Sequence, residues 1–389
     1  FKQKTAYEML ISHGISLERC DFCMTVRRFY VRGNTSRGSV NLLDSSLQGI
    51  RQLYVFQGGS DPLRTALMEA IGNEMERQGL EIWFLHCPSN QDALDGVIVP
   101  AIGCGIVNSD VLQGSSATRL VSHAVELNLT SAAAAEALRE RQEELNRLAE
   151  SIRQAHEQAY AGFAEALRIH DDWEAIYIQH MDFEKANRIS DQYVERLLGH
   201  KVKEEGEAIE FHRFLGAATP QGAMDFVPNL TAGLKRYFIK GRAGTGKSTL
   251  LNKLAAAARE QGFDTEIYHC GFDPKSLDMV IVRELGFAVF DSTAPHEYFP
   301  ETAEDEVIDM YELCVEPGTD EKYAESLADV ARRYKAQMAL STEFLAQAKA
   351  FIDERDAIIE AASGTGGTAN ILAQLKDQFA MVASIMRNG

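Results

Sequence analysis

The 389-residue chain is poor in positive charge, since 39 lysines and arginines stand against 57 aspartates and glutamates, for a net charge of −18. Proteins that bind nucleic acids or anionic membrane surfaces neutralise phosphates with basic patches. The charge balance therefore argues against both partners, while a local basic groove stays compatible with it.

Long apolar runs and cysteine clusters are also scarce. No apolar run reaches the roughly eighteen residues of a membrane-spanning helix, and no secretory leader is recognisable, so we expect a cytoplasmic protein with no membrane partner. The six cysteines are too scattered for a disulfide framework. Cys20 and Cys23 have the spacing of a zinc half-site or redox pair, with His13 as a candidate third ligand, but no second such pair accompanies them. Their role stays open.

The sharpest chemical signal is the segment KGRAGTGKST at residues 240–249. It fits the phosphate-binding pattern G-x-x-x-x-G-K-[ST], and it lies between a predicted strand at 236–239 and a predicted helix at 249–259. In such a loop, backbone N–H groups and the helix N-terminus face the phosphates. The sequence therefore predicts that a nucleoside triphosphate, ATP, binds here. The predicted contacts are Gly241, Arg242, Ala243, Gly244, Thr245, Gly246, Lys247, Ser248 and Thr249.

Catalytic and metal-binding roles follow from the same motif. Lys247 is predicted to reach the outer phosphates and Ser248 to bind Mg²⁺. Asp291, at the end of the apolar segment 287–290, has the form of the second metal ligand. Asp273 and Asp278 are candidates for orienting water or an acceptor hydroxyl. A purely structural role for Asp278, as for the nearby His269 and Cys270, is the alternative.

The chain contains an internal repeat. The spacing that relates Gly58 to Gly241 also superposes the paired segments His86-Cys87 on His269-Cys270 and 97–99 on 280–282. Such self-similarity predicts a tandem duplication. Each copy alternates strands and helices, which predicts an α/β fold with a parallel sheet covered by helices. Residues 273–286 are compatible with either a helix or an extended segment.

The first copy of the loop departs from the pattern where phosphate binding is most demanding. Leu63 stands at the position of Gly246 and would crowd the loop, while Asp61 adds a negative charge where phosphates approach. Arg64 replaces Lys247 without its compact ammonium group. We therefore expect the first site to bind triphosphate weakly or not at all.

Apolar residues at three- and four-residue spacing continue through 138–159 and 327–352, which predicts a long helical hairpin behind each unit. The hairpins are expected to pack either on each other or on the sheet domains. These helices are either structural or a lid or partner-binding arm. The predicted organisation is an extension at 1–25, a degenerate P-loop domain at 26–119, a helical segment at 120–205, an intact P-loop NTPase domain at 206–300 and a helical segment at 301–389.

Several stretches together resemble a little-characterised family of bacterial tandem P-loop ATPases that are nucleotide-kinase-like. The resemblance rests on Gly33-Asn34-Thr35, Arg37-Gly38, the phosphate loop, the two His-Cys pairs, Ser276-Leu277-Asp278 and the segment DSTAPH at 291–296. It implies ATP binding and supplies no established substrate. Members of that family have an intact first loop, so the departures in this chain put two-site catalysis in doubt.

The leading hypothesis is an ATPase with one competent Mg²⁺-ATP site in the second half and a regulatory or structural first half. A small-molecule or nucleotide kinase and a non-catalytic, nucleotide-dependent binding protein are the alternatives. No base-reading motif is recognisable, and the protein partner and oligomeric state are open.

Overall fold

The computed structural model describes residues 26–203, 207–363 and 368–388. The predicted extension at 1–25, with Cys20 and Cys23, lies outside these residues. Strands of the described chain form one twelve-stranded sheet and two two-stranded sheets, with helices packed around them. The α/β prediction is confirmed. Within the described residues, no helix has the length and apolar character needed to cross a membrane.

Both halves of the chain begin with the same series of elements, from the first to the seventh strand of each half. The first half consists of β1 (Val26–Tyr30), β2 (Arg32–Thr35), β3 (Gly38–Asn41), α1 (Leu43–Ser46), β4 (Gln52–Gln57), α2 (Asp61–Arg77), β5 (Ile82–His86), β6 (Leu94–Val99), β7 (Cys104–Asn108), α3 (Ala117–Leu120), β8 (His123–Asn128), α4 (Ala132–Glu140), α5 (Gln142–Ile178) and α6 (Phe183–Leu197). The second consists of β9 (Glu210–Phe214), β10 (Gly216–Thr219), β11 (Gly222–Asp225), α7 (Val227–Leu230), β12 (Lys235–Lys240), α8 (Lys247–Glu260), β13 (Thr265–His269), β14 (Leu277–Val282), β15 (Phe287–Asp291), β16 (Glu306–Asp309), α9 (Met310–Cys314), α10 (Thr319–Lys322), α11 (Ala324–Ser363) and α12 (Thr368–Asn388).

The order of strands in the large sheet repeats from its centre outward. One half runs β1-β5-β6-β7-β4-β8 and the other β9-β13-β14-β15-β12-β16. The halves meet where β1 and β9 pair antiparallel, with Tyr30 opposite Phe214. The repeat seen in the sequence therefore corresponds to a repeated strand order within one continuous sheet.

The sheet is mixed, so the prediction of a parallel sheet is wrong for one strand in each half. β6 is antiparallel to both β5 and β7, and β14 is antiparallel to both β13 and β15. The connections on either side of these strands are too short for the crossover that parallel strands require. Of the two alternatives for residues 273–286, the extended one is correct, and Gly286 ends the following turn at φ +73°.

Two short strands lie inside the segments that were predicted to be helical. β8 pairs with β4 at one edge of the sheet, and β16 pairs with β12 at the other. β8 is mostly exposed and has a mixed polar sequence, so it lacks the apolar alternation that marks a half-buried strand. The helical segments at 120–205 and 301–389 are therefore corrected to begin with an edge strand.

The long helices connect the two halves, and the helix that ends each half packs on the other half. α5 and α11 pack along each other, where Ala159, Phe163 and Leu345 form a buried cluster. α6, which follows α5, packs on α8 of the second half, and α12, which follows α11, packs on α2 of the first. The long helices thus pack on each other, which was one alternative for the predicted hairpins. That α6 and α12 each cover the opposite half was not predicted, because apolar spacing identifies a buried helix face but not the element that covers it.

A buried charge cluster holds the two halves together. The Arg213 guanidinium is wholly buried. It lies 4.0 Å from the centroid of the Phe29 ring of the first half and 3.1 Å from the Glu266 carboxylate. Arg27 of the first half lies 2.8 Å from the same carboxylate, and Arg283 also pairs with it. Burial alone would raise the pKa of Glu266, but the three guanidinium groups outweigh it and hold that pKa well below its usual range.

We expect Glu266→Gln to lower the free energy of unfolding at neutral pH by about 3–5 kcal/mol, because it leaves buried guanidinium groups without a counter-charge. Urea denaturation followed by circular dichroism measures the change. Glu150→Gln is the matched control, since Glu150 pairs with Arg153 on an exposed helix face and its loss should leave the free energy of unfolding nearly unchanged. Equal losses in both variants would contradict this role of Glu266.

Candidate functional site

The loop between β12 and α8 has the strand–loop–helix context that the motif requires. β12 ends at Lys240 and α8 begins at Lys247. Gly244 and Gly246 lie at φ +75° and +82°, a region in which glycine is favoured. A β-carbon on Gly244 would also approach Ile178 of α5 to 3.0 Å. The glycines therefore allow both the curvature of the loop and its close contact with the helix.

Side chains of the motif converge on the end of the neighbouring strand. Lys247 Nζ donates to the carbonyl oxygen of Arg242 at 2.7 Å and lies 3.6 Å from Asp291 Oδ2. Ser248 Oγ accepts the backbone N–H of Leu277 at 3.0 Å. The structure thus brings together Lys247, Ser248 and Asp291, which the sequence predicted as one site.

These side chains line a cleft of about 1010 Å³. All nine predicted loop residues line it, as do Asp273, Asp278 and Asp291. Sequence reasoning missed the part of its lining that α5, α6 and α11 supply, of which α5 and α6 also contact the loop. A volume of this size is at the upper end of the range for ligand-binding pockets.

Asp278 is the most perturbed carboxyl group in the cleft. Burial and the negative charge of Asp291 raise the pKa of Asp278 to about 7. No cation of the described residues lies within ion-pair distance of it. Asp291, in contrast, accepts hydrogen bonds from the N–H and the hydroxyl of Thr293 at 3.1 and 2.7 Å. Asp278 is therefore a carboxyl group poised to exchange a proton near neutral pH.

In the first half, the carboxylate equivalent to Asp278 is neutralised by an ion pair. Asp95, the counterpart of Asp278, accepts two hydrogen bonds from Arg32, at 2.8 and 2.6 Å. Arg32 begins β2, whereas Gly216 begins the corresponding strand β10. A β-carbon on Gly216 would lie 2.5 Å from a backbone carbonyl oxygen, so no side chain fits there. A glycine in place of an arginine thus leaves Asp278 unpaired and the cleft open.

The first half also lacks the glycine loop that the second half has between β12 and α8. α2 begins at Asp61, directly after Ser60 caps it, so only residues 58–60 separate it from β4. In the second half, residues 241–246 form the connection. The expectation that Leu63 crowds a loop is wrong, because a Ser cap followed by Pro62 favours an extra helical turn instead.

Side chains from α11 occupy the space at the start of α2, where the second half has its open loop. The backbone N–H of Asp61 donates to Asp356 at 3.0 Å, and Ser60 Oγ donates to Glu360 at 3.0 Å. Arg64 pairs with Asp61. The remaining cavity measures about 180 Å³. The two equivalent positions of the fold therefore differ more than fivefold in open volume.

The other candidate residues occupy less central positions. His269 bonds to the carbonyl oxygen of Pro274 at 2.8 Å and to His212 at 2.9 Å, and it does not line the cleft. Its contacts fit the structural alternative. Asp273 lies at the rim of the cleft, where Arg37 of the first half pairs with it at 3.1 Å. The first half therefore reaches the rim of the second-half cleft.

Comparison of the chain with protein-family models, curated proteins and solved structures gave no match. The resemblance to tandem P-loop ATPases remains a hypothesis carried by the residues quoted for it.

We expect opposite effects on stability when the two equivalent aspartates are replaced. Asp95→Asn should lower the free energy of unfolding by about 3–5 kcal/mol, because it leaves Arg32 without its counter-charge. Asp278→Asn should raise it by about 1 kcal/mol near pH 8, because it removes an unpaired carboxylate.

The pH dependence checks the second effect. The folded state keeps a proton on Asp278 up to about pH 7, whereas the unfolded chain releases it near pH 4. The wild-type protein therefore loses stability over this interval as the pH rises. Urea denaturation at several pH values should show the gain from Asp278→Asn increasing with pH, and a pH-independent loss would contradict the assignment.

Proposed function

We propose that the protein is a P-loop ATPase with one Mg²⁺-ATP site, formed by the loop between β12 and α8. The observation that carries this proposal is the difference between the two equivalent positions. One has an open loop, Lys247, Asp291 and an unpaired Asp278 around a cleft of about 1010 Å³. The other has an added helical turn, a neutralised Asp95 and about 180 Å³.

Each residue of the open site has a role in phosphoryl transfer. The glycine loop offers backbone N–H groups and the α8 N-terminus to the phosphates. Lys247 supplies positive charge to the transferred group, which it reaches by leaving the carbonyl oxygen of Arg242. Asp278 in its ionised form accepts a proton from the attacking water.

The oxygen atoms of Ser248 and Asp291 suit a magnesium ion, which prefers hard oxygen ligands. Both residues line the cleft beside Lys247, so they would hold the ion next to the phosphates. When bound, Mg²⁺ neutralises the charge that develops on the phosphate oxygens.

The first half would act as a structural or regulatory copy. Its β2–β3 hairpin contacts the cleft through Ser36, which donates twice to the carbonyl oxygen of Phe272, and through the Arg37–Asp273 pair. These contacts support a first half that positions the rim of the open site.

Kinase activity is the second candidate, favoured by the size of the cleft and by the helical lining that α5, α6 and α11 add to it. Transfer of radiolabelled γ-phosphate to an added acceptor would distinguish it from hydrolysis. A protein that binds ATP without turnover would support the third, non-catalytic alternative.

Replacement of Ser248 by alanine tests the metal site against a matched control. Ser248 and Thr65 occupy equivalent positions, and each hydroxyl accepts a backbone N–H at 3.0 Å, from Leu277 and Leu94 respectively. Both alanine variants should therefore lose about 1 kcal/mol of stability. Only Ser248→Ala should weaken Mg²⁺-dependent ATP binding, by at least about tenfold.

Isothermal titration calorimetry with and without Mg²⁺ measures these affinities. Lys247→Ala should abolish phosphate release in a steady-state assay, and release that persists in this variant would refute the ATPase. Equal loss of ATP affinity in Ser248→Ala and Thr65→Ala would refute the assignment of the site to the second half.

The pH profile of turnover tests Asp278. Because its pKa is raised to about 7 and the base acts when ionised, kcat/KM should rise with pH and level off above about pH 7. Asp278→Asn should lower kcat/KM by about 10²–10⁴ and remove that limb. An unchanged profile in the variant would exclude Asp278 as the base.

A further inference from the structure

The imidazole ring of His296 lines the cleft and is held in place from β11. Nδ1 of His296 donates to Asp225 Oδ2 at 2.6 Å, and the hydroxyl of Tyr298 donates to Asp225 Oδ1 at 2.6 Å. An ionised carboxylate can only accept, so Nδ1 carries a proton. Among the described residues, Nε2 of His296 has no hydrogen-bond partner, and it is not one of their buried, unpartnered atoms. This nitrogen is therefore accessible to a ligand in the cleft.

The local backbone explains why the ring lies there. After β15, Thr293 bonds to Asp291, and the N–H of His296 donates to the carbonyl oxygen of Thr293 at 3.0 Å. A short turn thus keeps His296 close to the end of β15. At the ring itself, a β-carbon on Gly216 would lie 2.7 Å from Cε1 of His296. The missing side chain of Gly216 therefore leaves room for the ring.

The surroundings of the ring are negative. Burial alone would lower the pKa of His296, but the hydrogen bond and the charge of Asp225 raise it. The charges of Asp278 and Asp291 act in the same direction, and together these carboxylates outweigh burial. A bound triphosphate would add further negative charge. The raised pKa favours the protonated ring, which is a cationic donor at Nε2.

The cleft has few other cations for a phosphate. Its lysines and arginines, within the part of the chain that the structure describes, are Lys240, Arg242 and Lys247. Arg242 pairs with Asp320 at 2.9 Å, and Lys240 pairs with Glu297 at 3.3 Å. Many P-loop enzymes stabilise the transferred phosphoryl group with an arginine in addition to the loop lysine. The described lining of this cleft offers no unpaired arginine for that role.

The first half has neither member of the histidine–aspartate pair at the equivalent positions. The repeat places Asn41 at the position of Asp225, at the same point of the short hairpin. It places Gln113 at the position of His296. Asn41 Nδ2 donates to the carbonyl oxygens of Val111 and Gln113 at 2.7 and 3.2 Å, so the two segments meet there as well. Gln113 is exposed and does not line the first-half cavity. The ionisable pair therefore accompanies the open cleft.

We propose that His296 is a catalytic residue that donates from Nε2 to the terminal phosphate of ATP and stabilises the charge on the transferred phosphoryl group. A charge-assisted donor fixed in advance is suited to this task. Asp225 is then a positioning residue, because its bond to Nδ1 sets the orientation of the ring. The inference rests on the proposed function and deepens it by naming the residue that recognises the terminal phosphate.

Two other roles for His296 make different predictions. A purely structural link between β11 and the segment after β15 would affect the binding of ADP and ATP equally. A general base would act in its unprotonated form. The proposed role requires a difference between ATP and ADP and a positive charge on the donor.

Calorimetry in the presence of Mg²⁺ measures the contact with the terminal phosphate. The ligands are ADP and the β,γ-imido analogue of ATP, which resists hydrolysis. His296→Gln should weaken binding of the analogue about three- to thirtyfold and leave the affinity for ADP unchanged. The unchanged ADP affinity also shows that the variant is folded. Gln113→Ala is the matched control at the equivalent position, and both of its affinities should equal those of the unaltered chain.

Steady-state phosphate release measures the catalytic role. His296→Ala should lower kcat by about 10²–10³. Imidazole and guanidinium ion, each at low millimolar concentration, should restore part of the lost kcat, because each supplies a cationic N–H donor. Asp225→Asn should lower kcat about tenfold and should have no further effect when combined with His296→Ala. His296→Gln carries the turnover measurement should His296→Ala not fold.

Several results would overturn the inference. Equal losses of affinity for ADP and the ATP analogue in His296→Gln would indicate a structural link. Rescue by imidazole without rescue by guanidinium ion would indicate a base. An unchanged kcat in His296→Gln, in a protein whose phosphate release depends on Lys247, would refute the role of His296 alone.

Failure of the proposed ATPase gives a different result. If the unaltered chain releases no phosphate but still binds the ATP analogue more tightly than His296→Gln does, the ATPase is refuted and the contact of His296 with the terminal phosphate is supported. Absence of binding of the analogue to the unaltered chain would refute both.

Discussion

One buried carboxylate, Glu266, holds the two halves of the molecule in a fixed relation. The strands at the seam meet through a single pair of facing residues, Tyr30 and Phe214, so side chains must supply most of the attachment. An apolar core shared by both halves supplies part of it. Glu266 adds to it by pairing with Arg27 of the first half and with Arg213, whose guanidinium lies between aromatic rings of both halves. Because a buried charge is tolerated only with its partners in place, the cluster disfavours any arrangement of the halves that separates Arg27 from Glu266.

The helices can pack across both halves only because the two halves are held in a fixed relation. α5 packs on β2 and β3 of the first half and ends on the loop of the second, while α11 runs in the other direction and ends on Ser60 and Asp61. The wall of the open cleft therefore comes from helices that belong to both halves. The Arg37–Asp273 pair adds a contact from the first-half hairpin. Elements of both halves therefore form the open site of the second half, although the first half has no comparable open site.

The two copies of the repeat differ in whether charged side chains at equivalent positions are paired. In the first copy, charged side chains near the equivalent position form ion pairs, as with Arg32 and Asp95 or Arg64 and Asp61. In the second copy, Asp278 faces a cleft without a counter-charge. Unpaired, partly buried charge is unfavourable for folding and is also what a proton-transfer site requires. The contrast within one chain supports Asp278 as a functional group more strongly than its raised pKa alone.

Much of the site was predictable because it depends on local sequence. The strand, glycine loop and helix around residues 236–259 follow from a motif whose spacing dictates its backbone, and Lys247, Ser248 and Asp291 were identified with it. The α/β class and the repeat were likewise readable, since both rest on periodicity along the chain. The predictions that were wrong concern segments whose local sequence pattern is compatible with two different structures. The edge strands β8 and β16, the antiparallel β6 and β14, and the helical start of α2 at Asp61 are of this kind.

Only the tertiary structure decided which surfaces meet. Apolar spacing in α5 and α11 shows that each helix buries one face, but the partner lies in the other half of the chain, and no local signal encodes it. The same holds for Arg32, whose pairing with Asp95 neutralises one site, and for Gly216, whose missing side chain leaves the other open. The sequence by itself determined the chemistry of the loop, because that chemistry resides in adjacent residues. The folded chain decided which copy has room for a ligand and what faces it, because those properties come from residues brought together across long separations.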